Sequence, residues 1–246
     1  MTERTLWKAA AIAAFLFIFG VHAPRAIASI NVSPVRIELS EDHNKDVVRI
    51  SNQEDVAKSY QVEIVAWSQT DERREVYAPT DELLAVPPLF TLQPGEEQVV
   101  RVGMIADPDP KIERAYRMFI TEIAQPQAAE SKSTGVSMRL QIGIPVFVAP
   151  AGGIPYAALD YVESMQVDNQ LFMRFRNPGN LHVKVTEIHF ETPGLADKVV
   201  TPAVFYMLAG QMGYLPVALP DGKPVGTVTF VTDTAGTLEY ELPIAP

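Results

Sequence analysis

Two all-β sandwich domains joined by a short hinge, behind a cleaved export signal, are what this sequence predicts. Three observations carry that expectation. Apolar and polar residues alternate with a period of two in run after run, the signature of half-buried strands. Turn signals rich in Pro, Gly, Asn and Asp separate the runs, and no window of comparable length shows a convincing helical period. One cluster, "APAGGIP" from Ala149 to Pro155, gathers two prolines and two glycines and divides the chain.

The chain starts outside this pattern. Arg4 and Lys8 form a positive start, Ala9 to Val21 is an apolar run, and Ala26 to Ala28 is a small-residue cleavage site. Residues 1–28 are therefore expected to be a signal peptide cut after Ala28, since the run falls short of the roughly 20 residues a comfortable span needs. No later run is long enough to span a bilayer, so the mature chain is expected to be exported and soluble, with no membrane insertion after cleavage.

Residues 29–150 read as the first domain. "INVSPVRIELS" (Ile30 to Ser40) and "DVVRISN" (Asp46 to Asn52) open it, and "SYQVEIVAWSQ" (Ser59 to Gln69) alternates with Tyr60, Val62, Ile64 and Ala66 on one face. Leu89 to Ile105 holds two strands about a Pro94-Gly95 turn, and Arg114 to Ala124 gives the next. After a polar loop, Gln125 to Gly135, comes "VSMRLQIGIPVFV", in which every even position from Val136 to Val148 is apolar. Whether that apolar face fills its own domain's core or another chain's is the question this strand raises. About seven short strands with frequent turns indicate an immunoglobulin-like β-sandwich. Residues 151–246 read as a second, smaller β-sandwich. Its runs are Leu159 to Val167, Gln170 to Arg176, Val183 to Glu191, Lys198 to Leu208, Tyr214 to Ala218, Gly226 to Val231 and Leu238 to Pro243.

Composition narrows the function. A hydrophobic content of 47% with 20% charged residues fits a folded chain rather than a disordered one. The net charge of −10 argues against nucleic acid as a partner. With no cysteine in an exported chain, no disulfide supports the fold and the cores must rest on apolar burial. The histidines are His22, His43, His182 and His189. The odd spacing of His182 and His189 puts them on opposite faces of one strand, and no metal set forms. "DERRE" (Asp71 to Glu75) and "GEEQ" (Gly95 to Gln98) read as solvated turn charges. No nucleophile elbow, phosphate loop or zinc motif occurs, so no catalytic residue, cofactor or metal is expected and the chain is not read as an enzyme.

The order of motifs is more specific than any one of them. "SPVRIEL", "VPPLFTLQPGEEQVVRV", "YRMFITEI", "LQIGIPVFVAP" and, past the hinge, "FRNPGNLHVKV" follow one another. In this the chain resembles the PapD-like periplasmic chaperones of the chaperone–usher pilus pathway, over nearly all of the mature sequence. The resemblance implies two immunoglobulin-like domains about a cleft, pilus or fimbrial subunits and an outer-membrane usher as partners, and a periplasmic location. It also implies donor-strand complementation, in which the chaperone lends a strand to a subunit that lacks its last one. The donor side chains matched are Val136, Met138, Leu140 and Ile142, with Ile144 extending the row. Arg36 matches the basic residue that holds the subunit's C-terminal carboxylate. The family's second base is a Lys in many members; here Pro145 stands there, which leaves the anchor to Arg36, alone or with Arg117 or Arg139. Glu113 matches the acid of the family's interdomain charge network, while Ala149 replaces its Arg. Such departures are similar to the archaic or alternative branches. The alternative from another class is a secreted two-domain structural or adhesive protein, itself like a pilus subunit.

Overall fold

A computed structural model describes residues 30–123, 139–167, 170–191, 199–217 and 226–241. The predicted signal at 1–28 lies outside the described residues. The strands of the first half are β1 (Ile30–Ser33), β2 (Ile37–Leu39), β3 (Lys45–Asn52), β4 (Lys58–Gln69), β5 (Glu75–Pro79), β6 (Leu83–Val86), β7 (Leu89–Leu92), β8 (Glu97–Met104), β9 (Arg114–Ile123) and β10 (Gln141–Val148). They form one sheet in the order β1-β3-β8-β6 and another in the order β2-β10-β9-β4-β5, with β7 also on β4.

The two sheets close on an apolar core because the alternating faces meet. Val48, Ile50, Val100 and Val102 come from one sheet, and Ile37, Tyr60, Met118, Ile120, Ile144 and Val146 from the other. Each such side chain contributes roughly 1.5–3 kcal/mol of gross burial. The turn at Pro94-Gly95 is present, with Gly95 at φ 74°, where a residue with a Cβ would be strained.

The second half holds β11 (Asp160–Val167), β12 (Gln170–Arg176), β13 (Val183–Glu191), β14 (Val199–Met207), β15 (Met212–Val217), β16 (Thr227–Thr232) and β17 (Thr237–Glu241). Its sheets run β11-β12-β15 and β14-β13-β16-β17, around Met173, Phe175, Val185, Phe190 and Phe230. The all-β expectation of two immunoglobulin-like sandwiches holds, with no helix among the described residues.

Two local expectations need correction. A bulge between Val185 and Glu187 shifts the phase of β13, so the buried set runs Val183, Val185, then Ile188, Phe190. His182, which precedes β13, and His189 therefore both fall outside this buried set, and His182 is itself buried against Phe147. The Asp71–Glu75 charges are also more than a solvated turn. Arg73, at φ 57°, reaches the second half: its Nε donates to the Tyr214 carbonyl at 2.8 Å, and its guanidinium lies 4.6 Å from the Phe205 ring centroid.

Candidate functional site

The strand in question, β10, has two different edges. On one side it pairs antiparallel with β9 along its whole length, from Gln141↔Thr121 to Val148↔Arg114. The Glu122 N–H donates to the Leu140 carbonyl, so the even residues of β10 turn their backbone groups towards β9. The odd residues, Gln141, Gly143, Pro145 and Phe147, turn theirs the other way. There β2 runs parallel and reaches only Val146–Val148. Among the described residues no strand covers Gln141–Pro145 on that side. The free N–H donors of this open edge are those of Gln141 and Gly143, because Pro145 has none. Proline fits at position 145 because its missing donor faces away from β9.

Side chains along β10 grade from core to rim. Ile144, the last of the expected donor row, is 1% exposed and packs in the domain's own core. Ile142 and Leu140 are half-buried, packed against the core's edge. Val136 and Met138 lie outside the described residues.

Of the expected anchor bases, Arg36 lies where the first half of the chain meets the second. The register Val146↔Ile37 continues to place Arg36 beside Pro145, on the face opposite the core. Its Nε lies 2.9 Å from Glu38 Oε1, and its NH1 donates to Asp233 Oδ2 at 2.7 Å, across to the second half of the chain. Arg117 pairs with Pro145 from the β9 side, but it is spoken for: its guanidinium lies 3.9 Å from the Trp67 ring and its NH2 donates to Glu75 at 3.0 Å. It is also buried, with 9% exposure. Arg139 is exposed, six residues before Pro145 and so roughly 20 Å away along an extended strand. The structure does not bring it to Arg36.

An aromatic cluster joins the two halves. Phe147 stacks on His182 at 3.7 Å, and Trp67 meets Tyr206 edge-on at 5.5 Å. Leu208 completes this third cluster between the halves. Burial raises the Tyr206 pKa; Arg36 opposes the shift, Asp233 adds to it and Arg117 opposes it, so all three charges surround this ring. Glu113, matched to the family's interdomain acid, takes its partner from a residue that sequence reasoning missed. Its Oε1 accepts from the His182 backbone N–H at 2.9 Å and lies 2.8 Å from His182 Nδ1, with both side chains buried. The signal was there in "NPGN", immediately before Leu181 and His182. Asn177 holds this turn by accepting from the Gly179 N–H, and a Cβ on Gly179 would come within 2.4 Å of the Tyr156 carbonyl. The side-chain amide of Gln69 donates to the Tyr206 carbonyl and its oxygen accepts from the Leu208 N–H, joining β4 to the second half. The arrangement brings together a strand edge that no described strand covers, the half-buried Leu140 and Ile142, and the Arg36 guanidinium at its end.

The sequence matches the family model described as "Pili and flagellar-assembly chaperone, PapD N-terminal domain" over residues 29–153. No curated protein sequence matches the chain. The structure is similar to the CsuC–CsuE chaperone–tip adhesion subunit pre-assembly complex from archaic chaperone-usher Csu pili of Acinetobacter baumannii. That match has a TM-score of 0.65 and 18% identity, and covers 86% of this chain and 98% of the other. It is similar also to the E. coli chaperone DraB, with a TM-score of 0.57, 17% identity and coverage of 87% and 98%. The Salmonella enterica SafA pilin–SafB chaperone complex gives a TM-score of 0.59, 14% identity and coverage of 88% and 97%. At these identities the likeness speaks for the fold, and the family model, which covers more than half of the sequence, speaks for the family. This chain belongs to the pili and flagellar-assembly chaperones with a PapD N-terminal domain.

Proposed function

We propose that this protein is a periplasmic chaperone that captures pilus or fimbrial subunits by donor-strand complementation and delivers them to an outer-membrane usher. The observation that carries the reading is the uncovered edge of β10 at Gln141–Pro145, which leads into the cleft beside Arg36. A subunit without its last strand exposes an apolar groove and unpaired strand edges, both aggregation hazards. Pairing with β10 satisfies the backbone, and the row Val136, Met138, Leu140 and Ile142 fills the groove. Main-chain pairing needs no particular sequence, so one chaperone serves several related subunits. The register is then fixed at one end by Pro145, where donation stops, and by Arg36, whose planar fork suits a C-terminal carboxylate. Family membership favours this reading over the structural or adhesive alternative.

The test is co-purification. The chain, tagged at its C-terminus and exported by its own signal in the native host, is expected to bring down a small exported β-rich protein in about equal amount. Arg36→Ala is expected to lower that yield about tenfold or more, the worth of a hydrogen bond to a charged group. Recovery of the chain alone while the host makes pili would contradict capture, and full recovery by Arg36→Ala would remove Arg36 as the anchor.

A further inference from the structure

Arg36 already holds two carboxylates of the protein itself, Glu38 of its own strand on Nε and, from the other half of the chain, Asp233 on NH1. Asp233 follows β16 in the turn into β17, and this turn is firmly built. The Asp233 N–H donates to the Lys184 carbonyl at 3.1 Å, the Thr232 hydroxyl donates to the Gly236 carbonyl at 2.7 Å, and the Ala235 N–H donates to the Thr232 hydroxyl at 2.9 Å. From that turn Asp233 Oδ2 faces two cations, Arg36 NH1 at 2.7 Å and Lys184 Nζ at 3.7 Å. Lys184 sits on β13 opposite Tyr206, its Nζ 5.8 Å from that ring, so it overlooks the same cleft from the second domain. All three side chains are a quarter to a third exposed, so the site is open to a ligand.

We propose that Arg36 and Lys184 form a two-domain site for a peptide C-terminal carboxylate, and that Asp233 is its built-in occupant, displaced when a client's carboxylate arrives. This rests on the reading of Arg36 as the anchor and adds two residues to it. Lys184 is the second cation, supplied from the opposite wall in place of a base at Pro145. Asp233 gives the site selectivity. A partly exposed ion pair is weak enough to be displaced, yet a side chain fixed by the fold competes at an effective concentration that a loose acid cannot match. A client strand aligned along β10 enjoys the same advantage, because its pairing delivers its own terminus to Arg36. The site therefore answers to carboxylates that arrive on a docked strand and ignores free ones. Displacement also breaks one of the links between the halves, the Arg36–Asp233 pair.

The experiment uses the mature full-length chain and two probes: an N-acetylated pentapeptide of alternating valines ending in a free carboxylate, and the same peptide ending in an amide. Their affinities are measured by NMR titration. Asp233→Asn is expected to tighten the carboxylate peptide about tenfold, the gain when a site occupied about nine-tenths of the time is cleared. The amide peptide is expected to gain nothing, and Asp160→Asn, a remote charge control, to change neither. Lys184→Gln in the Asp233→Asn background is expected to weaken the carboxylate peptide about threefold. In the wild type, where folding is not in question, the Asp233 carboxyl carbon resonance is expected to shift with the carboxylate peptide alone. If Arg36→Ala abolishes the preference for carboxylate while Asp233→Asn changes nothing, the anchor stands and the built-in occupant is overturned. If Lys184→Gln is silent, Lys184 is removed from the site. If carboxylate and amide bind Asp233→Asn equally well, the anchor reading itself fails and this proposal with it.

Discussion

From Val146 to Val148, β10 lies between β9 and β2, its even side chains in the core and Phe147 packed between the halves; from Gln141 to Pro145 the same strand keeps β9 and, among the described residues, has a bare edge. Both stretches follow one alternation of apolar and polar residues. The difference lies in what covers them, and coverage is a property of the neighbours. Alternation reports which face of a strand is apolar. It is silent on whether the edge is taken, and on where along the strand a shared core ends.

Paired substitutions give the strongest test of this contrast. Val146 is fully buried, so Val146→Asp is expected to cost more than about 4 kcal/mol and abolish cooperative thermal unfolding. Leu140→Asp, the same chemistry at the half-buried rim, is expected to cost about 1 kcal/mol in a denaturant melt while losing client co-purification. A Leu140→Asp chain that fails to fold would put both stretches in the same class and break the comparison.

The next largest effect concerns the outer face. Phe147 is 1% exposed and stacks on His182, whereas Gly143 on the same face is exposed, with only the Phe119 and Arg117 side chains beside it. Phe147→Ala is expected to cost about 3–5 kcal/mol and to broaden the interdomain arrangement in small-angle scattering. An unchanged melting curve would show that the aromatic cluster does not tie the halves together.

The smallest effect appears in alkali. Tyr116 pairs with Val146 at the sealed end of β10, and its hydroxyl donates to Glu82. Burial, then the bond to Glu82, raises its pKa above the ordinary 10.0, with Arg114 opposing. The unfolded chain releases this proton near its ordinary value while the native chain keeps it. The stability it confers is therefore complete below about pH 10 and is lost as pH rises through the native pKa. Tyr116→Phe is expected to flatten the fall in melting temperature above pH 10, and an equally steep fall would contradict the assignment.

Much of the fold was legible because most strands have one apolar face: Gln170–Arg176 and Val183–Glu191 appear in the structure with the limits their alternation suggests. β5 was not legible, since every residue from Glu75 to Pro79 is exposed and pairing with β4 alone defines it. β6 is only four residues long and hides among turn signals. The proposed site divided in the same way. Arg36 could be found from its motif, but Asp233 lies 197 residues further along and carries no local mark. Arg117 looked equally free in sequence; only its stacking on Trp67 and its pairing with Glu75 show that it is engaged. Asn52 and Asn177 are fully buried, each with its amide donating to several backbone carbonyls, a device shared by the two halves that no sequence repeat reveals.

The central claim, that the bare edge of β10 is where a client pairs, is tested most directly by amide hydrogen exchange in the free chain and in the co-purified complex. In the free chain the Ile142 and Ile144 amides, bonded to β9, are expected to exchange slowly, and those of Gln141 and Gly143 quickly. Client binding is expected to protect Gln141 and Gly143 and to leave Ile142 and Ile144 as they were. Fast exchange at Gln141 and Gly143 in the complex would contradict strand donation along this edge.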